Sequence, residues 1–229
     1  MSTSTTPSVE PIHEKDAAFL AALRDVGLLP DFAGDELTRS LAGARARGRK
    51  DGSTAFRMDL LEFYYDASGD ERLARTRRQV DRFFVHRETE QATASALLER
   101  LSGLAPEVGP IALERIGAGE DSTLVLRAGD DFVALEDDED ASASGEMNAA
   151  AMDGRVSAIP SSMVTVRGLI RGVNLLLGRR DVRERLVPLR SDVMREIYIA
   201  VPLTEAIELA RGGHLEEENA EDVMELGGW

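Results

Sequence analysis

The chain has 229 residues, with 27 lysines and arginines against 42 aspartates and glutamates, a formal charge of −15, and no cysteine. The missing thiols exclude disulfides, thiolate zinc sites and cysteine nucleophiles, and the net sign disfavours non-specific nucleic-acid binding. Hydrophobic residues at 43% and charged residues at 30% are the balance of a globular protein, and no run approaches the ~18 apolar residues of a membrane helix, so a cytoplasmic protein without membrane association is expected.

The charge is unevenly placed. Glu136-Asp137-Asp138-Glu139-Asp140 carries five negative charges and the stretch from Glu216 to Glu225 carries six more. Only Lys15 and Lys50 are lysines, so the other cations are all arginine, which reads as a GC-rich genome.

In chain order, residues 1–13 open Ser/Thr/Pro-rich without an apolar core and are expected to be a disordered tail rather than a signal peptide. A helical region over 14–88 follows. Phe19, Leu20, Leu23 and Val26 recur at helical spacing and Gly27 is placed to end that helix. Leu37, Leu41 and Ala44 mark a second helix over about 35–46, Arg45 to Gly52 is a basic loop, and Met58, Leu61, Tyr64 and Tyr65 mark a third helix over 56–65. Ser68 with Glu71 fits a capping box. The helix it opens holds Leu73, Val80, Phe83 and Phe84, and continues through Leu97, Leu98 and Leu101 either as one helix or as two joined near Arg87.

Beyond Gly103 the pattern becomes that of strands. Ile111–Ile116, Ser122–Arg127 and Phe132–Leu135 form an antiparallel meander, turning at Gly117-Ala118-Gly119 and at Gly129-Asp130. Residues 136–154 read as a flexible acidic insertion, and Val156–Ile159 as a short strand. Ser161 or Ser162 is expected to cap a helix over 163–177 that Gly178 stops. Leu186–Leu189 is a strand that Pro188 places at a sheet edge or at a bulge. Ile197, Ile199 and Val201 alternate as in a half-buried strand. Thr204 caps a last helix closed by Gly212-Gly213, and 214–229 is an acidic tail. The fold class is α+β, a helical region followed by an antiparallel-sheet domain over 89–213 of order α-βββ-α-ββ-α.

That order, from about Thr89, resembles the type III secretion chaperone-like fold that YbjN-like proteins share. The local match is a helix carrying Val173-Asn174, a hairpin from Arg185 to Val201, and Pro202-Leu203 leading into a helix. The resemblance implies small, acidic, non-enzymatic proteins that are commonly dimeric. The helical region of about 85 residues at the N-terminus and the longer acidic insertion depart from that pattern.

Neither a catalytic residue nor a metal or cofactor ligand set is expected. The histidines are His13, His86 and His214. No G-x-S-x-G, P-loop or H-E-x-x-H pattern occurs, and Gly117-Ala118-Gly119 lacks the helix that a dinucleotide loop must open. The run Glu136–Asp140 lacks the spaced ligands of a calcium loop. Arg72, Arg75, Arg77, Arg78 and Arg82, and a second set of Arg167, Arg171, Arg179, Arg180, Arg183 and Arg185, read either as solvated faces or as contacts to phosphate or an acidic partner. In the tail, Val223, Met224, Leu226 and Trp229 punctuate an acidic stretch, the composition of a docking motif, an intramolecular latch or a plain disordered end. Val166, Ile170, Val173 and Leu177 are expected to form the domain core or a dimer face. The expected function is a chaperone-like or adaptor module binding another protein, as a homodimer or not; the alternative is a nucleic-acid-associated regulator using the Arg-rich helices.

Overall fold

The computed structural model describes residues 11–66, 70–87, 92–117, 123–135, 165–192 and 195–226, and the chain divides into two compact units, Met1–Asp81 and Arg82–Trp229. The acidic run, the short strand expected at 156–159, the caps Ser161 and Ser162 and Trp229 lie outside the described residues.

The first unit is helical: α1 (Glu14–Asp25), α2 (Gly34–Ala46), α3 (Thr54–Asp66) and α4 (Glu71–Val80). The expected apolar positions are its interior. Phe19, Leu20 and Leu23 of α1, Leu41 and Ala44 of α2, and Phe56, Met58, Leu60, Leu61, Tyr64 and Tyr65 of α3 are buried. His13 is ordered, not part of a disordered tail: its Nδ1 accepts from the Lys15 amide and caps α1. Gly27, at φ 79°, lets the chain reverse after α1. The cap of α4 is Asp70, whose carboxylate accepts from the amides of Arg72 and Leu73; Ser68 lies outside the described residues. Leu73 and Val80 are exposed, so the outer face of α4 contributes nothing to this core.

The helix opened by α4 does not continue. Arg82 takes φ 56° and turns the chain into β1 (Phe83–Arg87), which corrects both the one-helix and the two-helix expectation for 70–102. The aromatic run Phe83-Phe84-Val85 suits a strand buried on both faces, and its pairing partners lie more than a hundred residues away. The division between the two units falls just before β1.

After β1 the second unit continues with α5 (Ala94–Leu104), β2 (Ala112–Ile116), β3 (Thr123–Ala128), β4 (Asp131–Ala134), α6 (Val166–Arg179), β5 (Glu184–Asp192), β6 (Arg195–Pro202), α7 (Leu203–Arg211) and α8 (Glu217–Leu226). The molecule is thus α+β with the expected meander, hairpin and helices, plus β1 and α8. The strands form two antiparallel sheets of three, β1-β6-β5 and β2-β3-β4. Pro188 lies on an edge strand, as expected, next to a register shift between Pro188 and Arg190.

One core joins both sheets through α5 and α6. Leu97, Leu98 and Leu101 of α5 and Leu169, Ile170, Val173, Leu176 and Leu177 of α6 pack with Leu124, Leu126 and Val133 of the second sheet and Phe84, Leu186 and Tyr198 of the first. Helix α6 starts later than expected, at a Thr165 cap, and runs past Gly178; Asp181, at φ 52°, makes the turn. A Cβ at Gly172 would stand 2.6 Å from Leu126 Cδ1 and 2.8 Å from Leu135 Cδ2, so a larger residue there would have to push these leucine tips aside for α6 to lie this close to the second sheet.

Strand β6 is buried on both faces from Ile197 to Val201, not half-buried. Tyr198 and Ala200 face the joint core. Ile197, Ile199 and Val201 point the other way, and α7 and α8 pack against the hairpin β5–β6. Helix α7 starts at Leu203 behind Pro202, so Thr204 lies inside the first turn rather than at the cap. The acidic stretch after Glu216 is a helix and not a tail: α8 packs on α7 and β5, with Val223 and Asn219 buried. Among the described residues no helix is long and apolar enough to cross a membrane.

Candidate protein-binding edge

Three-stranded sheets have two edges each, and an edge strand presents outward amides and carbonyls that require partners. The phase of each ladder follows from single bonds and the registers. The Leu135 amide donates to the Leu124 carbonyl, so Leu124 bonds toward β4, as do Leu126 and Ala128. Thr123, Val125 and Arg127 then bond toward β2, where they face Ile116, Glu114 and Ala112. Leu113 and Arg115 are left with backbone groups pointing out of the sheet, and on β4 the outward residues are Phe132 and Ala134. In the first sheet the Ala200 amide donates to the Arg82 carbonyl. By the same alternation, Phe83 and Val85 on β1 and Leu186 on β5 point outward.

Helices cover three of these four edges with a side chain. Arg100 of α5 donates to the Val85 carbonyl at 2.5 Å. Asn174 of α6 pairs with both backbone groups of Leu186, donating to its carbonyl at 2.8 Å and accepting from its amide at 2.7 Å. Arg179 donates to the Phe132 carbonyl. On β2 the cover stops one step short: Ser102 of α5 accepts from the Ile111 amide at 3.3 Å while donating to the Leu98 carbonyl at 2.8 Å. Among the described residues no side chain reaches the outward groups of Leu113 and Arg115.

A groove of about 540 Å³ runs alongside this open edge. Its helical wall is Ser95, Leu98, Glu99 and Ser102, one face of α5 at i, i+3, i+4 and i+7; its other wall is Ile111, Ala112 and Leu113. Arg115 follows Leu113 on the same face of β2, and its Nε is buried without a hydrogen-bond partner among the described residues.

The residues singled out from the sequence lie elsewhere. Val166, Ile170, Val173 and Leu177 are buried in the joint core, so of core and dimer face they take the core. Val223 is wholly buried under α8 and has no surface to offer a partner, Met224 is exposed, and Leu226 ends α8. The arginines of both sets are largely engaged. Arg77 bonds Glu36 and the Tyr64 carbonyl. Arg180 bonds Asp131 at 2.8 Å and the carbonyls of Val108 and Ala128, and Arg185 bonds the carbonyls of Val182 and Glu184. Among the described residues no three His, Asp or Glu side chains gather as metal ligands. The His214 carbonyl accepts from the buried Arg190.

In the first unit burial displaces the acidity of a connected set of groups. Burial pushes the Asp81 carboxyl up to about 6; Asp31 adds to this, and the Tyr64 hydrogen bond and Arg77 oppose it. Tyr64 and Tyr65 are raised in turn, chiefly by burial and then by Asp81.

Compared with known proteins, the chain matches no family model, and neither a curated protein nor a solved structure matches it significantly.

Proposed function

We propose that this protein is a cytoplasmic, non-enzymatic protein-binding module of chaperone or adaptor type. The observation that carries the reading is the β2 edge: among the described residues nothing reaches the outward groups of Leu113 and Arg115, while on each other edge a helix side chain reaches one outward residue. Unsatisfied backbone groups beside an apolar-floored groove are a surface that another polypeptide can complete. The outer face of α8, with Glu217, Glu218, Glu221 and Met224 exposed, supplies a second, acidic contact. It replaces the mobile tail in that role, because α8 is held to its own unit through Val223. The resemblance to type III secretion chaperone-like proteins agrees with this reading.

The test is purification of the untagged chain from its native cells, with native mass measurement of what travels with it. A stoichiometric protein partner is expected, and its binding should weaken when Glu217, Glu218 and Glu221 are replaced together by lysine. A chain that elutes alone under every condition, or that turns over a small molecule, overturns the proposal.

A further inference from the structure

We infer that the groove between β2 and α5 receives an extended segment of the partner protein, which adds to the second sheet as a fourth strand beyond β2. This rests on the protein-binding reading above and names how and where the partner binds.

Backbone complementarity comes first. The amides and carbonyls of Leu113 and Arg115 point outward at the strand spacing, and only another extended backbone satisfies both residues at once. Among the described residues no side chain of the receptor does so, and the nearby Ser102 reaches only Ile111. The groove then sets side-chain preference. An occupying strand points alternate residues into the space beside Leu98, Ile111 and Leu113, which selects apolar residues at every second position. At the far end, the buried Nε of Arg115 offers a donor to a carboxylate or carbonyl of the occupant. The partner segment is therefore a short β-forming stretch with alternating apolar residues and an acceptor toward Arg115. A second copy of this chain is a different occupant and is an outcome of the test.

The experiment uses the full chain and a random nine-residue peptide library displayed on phage. Enriched peptides are synthesised and their affinities measured by fluorescence anisotropy. Three variants locate the site. Ser95→Trp fills the groove from an exposed helix position, and Arg115→Pro removes an outward amide together with the guanidinium. Ala134→Pro makes the same backbone change on the outward row of β4 and serves as control. All three positions lie outside the core cluster, proline is tolerated at outward edge positions, and thermal melts check that each variant folds.

The expected result is peptides of alternating apolar pattern whose affinity falls at least tenfold on Ser95→Trp and Arg115→Pro and stays within twofold on Ala134→Pro. Methylating every second peptide nitrogen in one phase should abolish binding, and in the other phase should not. The Leu113 and Arg115 amides should exchange fast in the free chain and slowly in the complex. Failure to enrich any peptide, peptides insensitive to Ser95→Trp, or protection confined to other strands would overturn the inference. So would self-association of the chain that Ser95→Trp abolishes, since the occupant would then be a second copy. If the cellular partner binds the Ser95→Trp chain as tightly as the parent, the edge assignment falls and the protein-binding reading stands; if no partner is found either, both fall.

Discussion

Arginines meet both carboxylates and backbone carbonyls in each unit, but among the described residues only the first unit buries its carboxylates. In the first unit they neutralise buried acids. Asp16 is fully buried and accepts from Arg57 Nε at 3.1 Å and from the Gly52 amide at 2.7 Å. Asp59, also fully buried, is held between Arg47 at 3.0 Å and Arg49 at 3.2 Å. In the second unit the arginines pair with partly exposed acids, such as Glu114 and Asp131, and reach backbone carbonyls, and the buried polar residues among those described are a cation and an amide, Arg190 and Asn219. The lesson concerns what each fold leaves unsatisfied. A bundle of helices satisfies its own backbone and can spend arginine on carboxylates; short sheets leave edges, and arginine and asparagine are drawn to them. An arginine-rich sequence is therefore not by itself a binding face for phosphate.

If that contrast holds, the largest effect comes from breaking a buried pair in the first unit. We predict that Asp16→Ala, which strands Arg57 and the Gly52 amide, destabilises that unit by about 3–5 kcal/mol, read as an early transition in urea denaturation. An unchanged urea midpoint would mean that the pair contributes little.

Next comes the corresponding change in the second unit. Arg180→Met keeps most of the aliphatic volume but strips donors from the Val108 and Ala128 carbonyls. A loss of roughly 2 kcal/mol is expected, with the effect confined to the second unit and insensitive to salt between 0.1 and 0.5 M, both rough working values. A strong salt dependence would show that the Asp131 pair dominates instead.

Acidity separates the units more gently. The Asp81 carboxyl titrates near 6 when folded, above its ordinary 3.8, so between those values the folded unit holds more protons than the unfolded chain. Its stability should rise as the pH falls from about 7 toward 5, by roughly 1–2 kcal/mol, and flatten below the unfolded value. Asp81→Asn should remove this slope. A stability that falls over the same interval in the parent chain would contradict the assignment.

The smallest effect tests the outer face of the second sheet. Phe132 is 47% exposed, with Arg127 over its ring at 5.4 Å. Phe132→Ala should cost no more than about 0.5–1 kcal/mol in the same denaturation assay. A loss several times larger would mean that this face is covered.

Much of the architecture is legible in the sequence because periodicity reports burial. The stripes in α1, α3 and α6, the meander β2–β4 and the edge placement of Pro188 all follow from local patterns. β1 does not. Phe83-Phe84-Val85 is too short an apolar run to distinguish helix from strand, and its partner Ile197–Ile199 is distant in sequence. Helix α8 is hidden for the opposite reason: five acidic residues in its ten suggest a solvated tail, and only Val223 and Asn219 mark the face that docks. The open edge is invisible locally, since which strand lies outermost depends on how the sheet is ordered. One signal was available: a lone Asn174 in the apolar stripe of α6 requires a buried partner, and that partner proved to be the edge of β5.

Ser102 joins two elements with one hydroxyl, tying the last turn of α5 to the residue that enters β2. Both walls of the groove are thereby fixed to each other before anything arrives. A segment entering there would meet two walls already tied to each other, so ordering them would add little to the entropy lost on complex formation. Encounter should then be limited by how often that chain is extended, and residence time by how many of its backbone bonds must break together.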